Sequence, residues 1–326
     1  MPEKDLPIVL MTHTLPQEWV SSLKGHCTVY NGPADATEMD PSLFDLLPKA
    51  EGLFTLLTIP VTGKIISQAP LLRVVSNMAV GVDNIDIPAC TKRSIPVGNT
   101  PGVLTESTAD LTMALILSIA RNIPQASRDA TEGRWKTWSP AGWLGMELHG
   151  ATLGIIGMGK IGKAVARRAS GFGMKILYTD LQEANEIFAS RVSLEELLRQ
   201  SDIVSIHAPL TTETRGLINK FSLSLMKPTA ILINAARGPL VMTSALVEAL
   251  KENRIAAAAL DVTDPEPLPP DHPLFSLPNC LIVPHIGSAT QHTRRRMAEL
   301  ACENLLAGLR GDRLPNCVNP EVYSIK

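Results

Sequence analysis

The segment Thr152–Gly162, TLGIIGMGKIG, constrains the fold more than any other stretch of this 326-residue chain. An apolar run of strand character leads into Gly157, Gly159 and Gly162, a GxGxxG pattern, and a helical pattern follows at Lys163–Ser170. Each glycine has a purpose where a strand turns sharply into a helix beside a pyrophosphate. The first permits the tight turn, the second lets backbone approach the phosphates, and the third lets helix and strand pack closely. Unpaired N–H groups at the helix start then face the anion. The segment predicts a βαβ unit, a parallel sheet and a bound dinucleotide.

The rest of the chain repeats that alternation. Short β-branched runs at Ile8–Thr12, Cys27–Tyr30, Gly52–Leu57, Val74–Met78 and Pro96–Gly98 form a first series of expected strands. A second series is Thr152–Gly157, Lys175–Asp180, Ile203–Ala208, Ala230–Asn234, Ala256–Asp261 and Leu281–Val283. At about 150 residues per domain the length allows roughly two domains, so the expected class is α/β with two doubly wound parallel sheets. Glu106–Asn122, rich in Leu111, Ala114, Leu115, Leu117 and Ile119, reads as a buried helix bridging the two lobes. A long helix is expected from Thr290 to Gly308 or Gly311, then an extended segment Leu314–Val322. Pattern alone leaves open whether this last part returns to the first lobe.

Composition excludes several functions. With 30 basic and 32 acidic residues the formal net charge is −2, which gives no broad attraction to nucleic acid or an anionic membrane. Cys27, Cys90, Cys280, Cys302 and Cys317 are widely spaced and form no metal-ligand pattern, so no disulfide framework or metal site is expected. The start of the chain lacks the features of a signal peptide, and the longest apolar stretch, Met113–Ala120, is too short to span a bilayer. A reducing compartment, the cytoplasm, is the expectation.

In an open parallel sheet, ligands bind beyond the carboxyl ends of the strands. The residues just after the later strands are His207 and Pro209; Ala235, Ala236 and Arg237; Asp261; and His285. In the first lobe the same rule selects the loop Ala79–Asp83, and two such edges facing each other would make a cleft. Asp180 ends the strand after the glycine-rich turn. A carboxylate there accepts from both adenine-ribose hydroxyls and repels a 2′-phosphate, which favours NAD over NADP. No basic residue follows until Arg191.

These residues carry a resemblance to the D-isomer-specific 2-hydroxyacid dehydrogenases, through GMGKIG at Gly157–Gly162, INAARGPLV at Ile233–Val241, LDVTDPEPLP at Leu260–Pro269 and PHIGSAT at Pro284–Thr290. Within that family SNMAVGVDNID (Ser76–Asp86), NTPGVLTESTAD (Asn99–Asp110) and ENLLAGLRG (Glu303–Gly311) resemble the glyoxylate/hydroxypyruvate reductases. The resemblance implies a flavodoxin-like substrate domain of residues 1–98 and 288–326 and a Rossmann dinucleotide-binding domain of residues 99–287. It implies reduction of small 2-keto acids such as glyoxylate and hydroxypyruvate, with Arg237, Glu266 and His285 as the catalytic set. In chemical terms His285 supplies the proton, Glu266 favours its imidazolium form, and Arg237 holds the substrate carboxylate and keto oxygen.

By the same resemblance the N–H groups of Val80 and Gly81 grip the carboxylate and Leu56 lines the pocket. Thr108, Lys160, Ile161, Pro209, Ala235, Asp261 and Gly287 fall at cofactor positions, with Asp261 on the nicotinamide carboxamide, and His207 lines the site. Three of the four tryptophans lie in Gly133–Gly145. In similar proteins this stretch is an arm around a partner subunit, which implies a homodimer with Trp138 reaching the neighbour's substrate pocket.

Departures from related patterns narrow the reading. Asp180 and Leu181 stand where animal hydroxypyruvate reductases carry glycine and arginine. Glu266 replaces the glutamine of formate dehydrogenases, and the loop Asn77–Gly81 lacks the lysine of phosphite dehydrogenases. Two alternatives share the catalytic set: a short phosphoglycerate dehydrogenase-like enzyme, and a dinucleotide-responsive binding protein resembling the C-terminal-binding corepressors.

Overall fold

The computed structural model describes residues 6–184, 186 and 188–324. The chain forms two units. One runs to Leu104 and resumes at Thr290; the other is Thr105–Ala289. The expected boundaries, 98/99 and 287/288, are displaced to 104/105 and 289/290.

The discontinuous unit holds β1 (Ile8–Met11), β2 (Thr28–Asn31), β3 (Gly52–Thr55), β4 (Val74–Asn77) and β5 (Val97–Gly98). They pair in parallel in the order β2-β1-β3-β4-β5, so the strand order reverses between β1 and β3. Alternation along each strand serves two cores. Leu10, Leu53 and Val75 pack under α1 (Pro41–Phe44), α2 (Gly63–Gln68) and α3 (Ile87–Lys92), with Leu43, Ile65, Ile66 and Cys90. Val9, Met11, Phe54 and Val74 point the other way, onto Met297, Ala301, Leu305 and Leu309 of the helix Gln291–Arg310.

That helix returns the end of the chain to the first unit, which pattern alone leaves open. Thr290 caps its start by accepting from the Thr293 N–H, and Gly311 ends it at φ 82°. Of the two glycines that could stop it, Gly308 instead lies inside the helix, where an added Cβ would stand 2.4 Å from the Val74 Cβ. Glycine there lets the helix press onto β4. Beyond it Cys317 bridges antiparallel to Gly98, and a 3₁₀ turn at Pro320–Tyr323 overlaps the end of the segment expected to be extended.

The continuous unit holds β6 (Thr152–Ile156), β7 (Lys175–Thr179), β8 (Ala189–Arg191), β9 (Ile203–Ile206), β10 (Ile231–Asn234), β11 (Ala257–Leu260) and β12 (Cys280–Ile282). All pair in parallel, in the order β12-β11-β10-β9-β6-β7-β8, with the reversal between β6 and β9. Strand β8 is absent from the expected series, because Ser190 and Arg191 are exposed and leave no apolar signature. The helices are α4 (Thr105–Ala120), α5 (Ile123–Thr131), α6 (Lys160–Gly171), α7 (Leu194–Gln200), α8 (Lys220–Leu225) and α9 (Thr243–Lys251); the helix Gln291–Arg310 is α10.

Helix α4, expected to bridge the lobes, lies wholly within the second unit, packed on α6, β10, β11 and β12. It stops at Ala120, short of the expected Asn122, whose left-handed φ of 52° turns the chain into α5. Helix α6 begins at Lys160 rather than Lys163, directly after the second glycine of the motif. No helix among the described residues is long and apolar enough to cross a membrane.

Candidate active site

The glycine-rich turn sits after β6, beside the β6/β9 reversal where doubly wound sheets take their ligands. Gly157 adopts φ 95°, and an added Cβ would stand 2.7 Å from the Ala208 N. At Gly162 a Cβ would stand 2.1 Å from the Gly157 carbonyl oxygen, so helix and turn touch there backbone to backbone. Gly159 differs: a Cβ there would meet nothing within 4 Å. Its open flank adjoins the first turn of α6, at Lys160, Ile161 and Gly162, which has no side-chain cap. This cradle fits a pyrophosphate, with backbone N–H groups available to it.

Asp180 follows β7 and ties the same turn down. Its Oδ2 accepts from the Met158 N–H at 2.7 Å and its Oδ1 from the Gln182 N–H at 3.0 Å. Arg191, eleven residues on in sequence, donates to the carbonyls of Asp180 and Leu181 at 2.7 and 3.1 Å. A cation therefore stands beside a strand end whose own sequence is acidic. His207, after β9, shares a 2.8 Å hydrogen bond with Ser205. Burial pushes its imidazole down to about 4, so it is neutral at neutral pH and lines the edge uncharged. Pro209 is exposed, and its carbonyl accepts from the Thr214 hydroxyl at 2.7 Å.

The three titratable residues expected to act together come from three loops after β10, β11 and β12. After β10, the buried Asn234 side chain accepts from the Ala236 N–H at 3.1 Å and donates to the Arg237 carbonyl at 2.8 Å, folding Ala235–Arg237 into a fixed turn. Gly238 then meets the next loop. An added Cβ there would lie 1.8 Å from the Thr263 carbonyl oxygen, so only glycine allows the Arg237 turn to lie against the loop carrying Glu266.

Glu266 is held from both sides. Oε2 accepts from the Thr263 N–H at 3.1 Å and Oε1 meets His285 Nδ1 at 2.5 Å. Partial burial raises its carboxyl, but the His285 hydrogen bond and charge, the Thr263 N–H and the Arg237 charge outweigh this and hold it below the usual carboxylate range. An ionised carboxylate accepts only, so Nδ1 carries the hydrogen and Nε2 remains to give or take a proton.

His285 adopts φ 51°, a left-handed conformation that non-glycine residues rarely hold without support. Asp261 provides the support. Its carbonyl accepts from the His285 N–H at 2.9 Å, and its Oδ1 and Oδ2 accept from the Ile286 and Gly287 N–H groups at 2.6 and 2.9 Å. Burial raises the Asp261 carboxyl, and those N–H bonds work against the rise. Thr108 of α4 closes the arrangement by donating to the Gly287 carbonyl at 3.3 Å.

In the first unit, Leu56 is half-buried just after β3, and Val80 and Gly81 are half-buried in the loop after β4. Trp138 lies beyond α5 and is 79% exposed, with Trp135 61% and Leu144 72% exposed nearby. Trp143 is fixed by a 2.8 Å bond from its Nε1 to Asp129.

Comparison with known proteins identifies the family. Residues 113–287 match the model of the D-isomer specific 2-hydroxyacid dehydrogenase NAD binding domain. A glyoxylate reductase of Korarchaeum cryptofilum is 46% identical over 98% of each chain. One of Aeropyrum pernix is 51% identical over 85% of each. A crystal structure of a Thermus thermophilus protein superposes with a TM-score of 0.90 at 47% identity, covering 95% of this chain and 99% of that one. The chain belongs to the D-isomer specific 2-hydroxyacid dehydrogenase family. It is an oxidoreductase with a nicotinamide-dinucleotide-binding unit.

In this dehydrogenase two supporting residues escape a reading of the sequence: Asn234 shapes the Arg237 turn and Thr263 anchors Glu266. Asp261, expected there as a cofactor residue, holds the His285 backbone by a role the sequence does not announce. Of the two, Asn234 leaves a trace, as a polar residue closing an otherwise apolar strand. Arg191 stands too far along the chain from Asp180 to suggest a contact, a distance that β8 removes by pairing beside β7.

Proposed function

We propose that this dehydrogenase reduces small 2-keto acids, glyoxylate and hydroxypyruvate foremost, to 2-hydroxy acids of D configuration where the product is chiral. The carrying observation is the 2.5 Å pairing of His285 Nδ1 with Glu266, which leaves Nε2 as proton donor, in a chain whose curated relatives are named glyoxylate reductases. NADH, when bound, would supply the hydride that the keto carbon receives. His285 Nε2 gives its proton to the developing alkoxide, and Glu266 stabilises the imidazolium beforehand. Arg237 holds carboxylate and keto oxygen through its planar fork. The Val80 and Gly81 N–H groups take the carboxylate, and Leu56 lines the pocket.

Gly157, Gly159, Lys160, Ile161 and Gly162 would hold the pyrophosphate and Asp180 the adenine ribose, with NAD preferred to NADP. Thr108, His207, Pro209, Ala235, Ala236, Arg237, Asp261, His285 and Gly287 would line the remainder of the cofactor site. The exposed Trp135, Trp138 and Leu144 support a homodimer in which Trp138 is covered by the partner, and we place the enzyme in the cytoplasm.

A steady-state panel of glyoxylate, hydroxypyruvate, pyruvate, 2-ketogluconate and 3-phosphohydroxypyruvate, with NADH and with NADPH, tests this reading. Glyoxylate and hydroxypyruvate should give the highest kcat/KM, with NADH. Turnover of none of them would overturn the proposal, and a clear lead for 3-phosphohydroxypyruvate would replace its substrate.

A further inference from the structure

The loop after β4 is shaped by three successive carbonyls, each clamped by a donor. Ala79 O accepts from the Thr100 N–H at 2.9 Å, Val80 O from Asn99 Nδ2 at 2.8 Å, and Gly81 O from Asn77 Nδ2 at 2.9 Å. A trans peptide is planar, so the N–H of residue i+1 points away from the carbonyl of residue i. Clamping Ala79 O therefore aims the Val80 N–H, clamping Val80 O aims the Gly81 N–H, and clamping Gly81 O aims the Val82 N–H.

The clamps are themselves built in. Asn99 takes a 2.9 Å bond from Asn304 Nδ2 of α10 onto its carbonyl, and its own N–H donates to the Asn316 carbonyl at 3.3 Å. Asn304 in turn accepts from the Asn316 N–H at 3.0 Å. Gly98 makes room for this: a Cβ there would lie 2.7 Å from the Asn304 Cβ. Asn77 also donates to Asn84 Oδ1 at 3.2 Å, and Asn84 donates to the carbonyls of Leu56 and Ile59 at 3.0 and 3.1 Å, tying the loop to the residues that follow β3.

Asn77 is fully buried, yet its Oδ1 has no hydrogen-bond partner among the described residues. Leaving a buried acceptor unpaired is costly. The side chain is thus kept for where its N–H groups go.

We propose that Asn99 and Asn77 are positioning residues that aim the Val80 and Gly81 N–H groups, and the Val82 N–H next to them, at the carboxylate of the 2-keto acid. The ligand named here rests on the function proposed above. Neutral amides suit this role because they orient donors in advance without adding a charge that would titrate with the substrate present.

The experiment compares wild type with Asn99→Ala, Asn99→Asp and Asn77→Ala. The readouts are glyoxylate kinetics, inhibition by oxamate as a non-reducible carboxylate analogue, NADH affinity and melting temperature. Asn99→Asp keeps the side-chain shape but replaces the donor by an acceptor and adds a negative charge beside the Val80 carbonyl, whereas Asn99→Ala removes the donor without adding charge. Glyoxylate KM and the oxamate inhibition constant should rise together by about tenfold in Asn99→Ala and Asn99→Asp. NADH affinity should stay within about twofold, as in other substitutions that spare a distant site.

A merely structural role would instead lower the melting temperature and spread the loss over NADH affinity and kcat; that result overturns the proposal. Asn77→Ala carries the same test through the next peptide if the Asn99 variants do not fold. An active wild type whose folded variants keep KM and oxamate inhibition within about twofold sinks the positioning role alone. A wild type inert toward every keto acid sinks the functional reading and the ligand named here.

Discussion

The carboxyl edges of the two sheets solve different problems with different chemistry. Beyond β10, β11 and β12 the chain assembles ionisable groups, Arg237, Glu266 and His285, with one carboxyl displaced below its usual range by its neighbours. Beyond β4 it assembles neutral amides, Asn77, Asn84 and Asn99, that act only by orienting peptide planes. The first arrangement can move a proton, and its competence depends on pH. The second can hold an anion, and its competence depends on shape.

Four single substitutions probe these edges. The largest effect belongs to His285→Ala, which should lower kcat for glyoxylate about 10³-fold, within the range general acid catalysis covers, while NADH binding measured by fluorescence persists. A loss of less than about tenfold would mean that another group donates the proton.

Glu266→Gln should act more mildly, lowering kcat/KM for glyoxylate about tenfold, and should change the acid side of the pH profile. The Glu266 carboxyl is displaced downward, so its charge, and the activity that depends on it, persists as pH falls through the usual carboxylate range and is lost only below it. Glutamine has no charge to lose, so the acid-side fall in kcat/KM should be absent from the variant. Asn99→Ala should weaken substrate binding with the wild-type acid-side fall left where it was. Coincident acid limbs for Glu266→Gln and wild type would erase the contrast between the two edges.

The smallest effect is expected at the ribose end. Asp180→Ala should narrow the NADH/NADPH ratio of kcat/KM severalfold, with Arg191 as the cation then able to meet a 2′-phosphate. Adding Arg191→Ala should remove what NADPH gained; an Asp180→Ala enzyme whose ratio is unmoved would leave cofactor choice unexplained by this strand end.

Much of this is legible in the sequence because it rests on short-range rules. The strand–turn–helix at Thr152–Gly162 follows from glycine spacing alone, and the rule about carboxyl edges brings Arg237, Asp261 and His285 to one side without any coordinates. What stays hidden depends on contacts between segments far apart in the chain. Strand β8 has three residues and owes its existence to pairing with β7 rather than to its own side chains. Helix α4 reads as apolar over most of its surface, which shows burial without showing the unit it is buried in. The asparagines around β4 and β5 look like ordinary turn residues until α10 arrives to bind one of them.

The late arrival of α10 matters during synthesis. Residues 105–289 are contiguous and can fold as a unit while translation continues. The sheet holding Val9, Phe54 and Val74 cannot cover that face until residues 291–310 have left the ribosome. The earliest part of the chain to be made is therefore among the last to be finished, and its exposed aliphatic face is where a nascent-chain chaperone would be needed most.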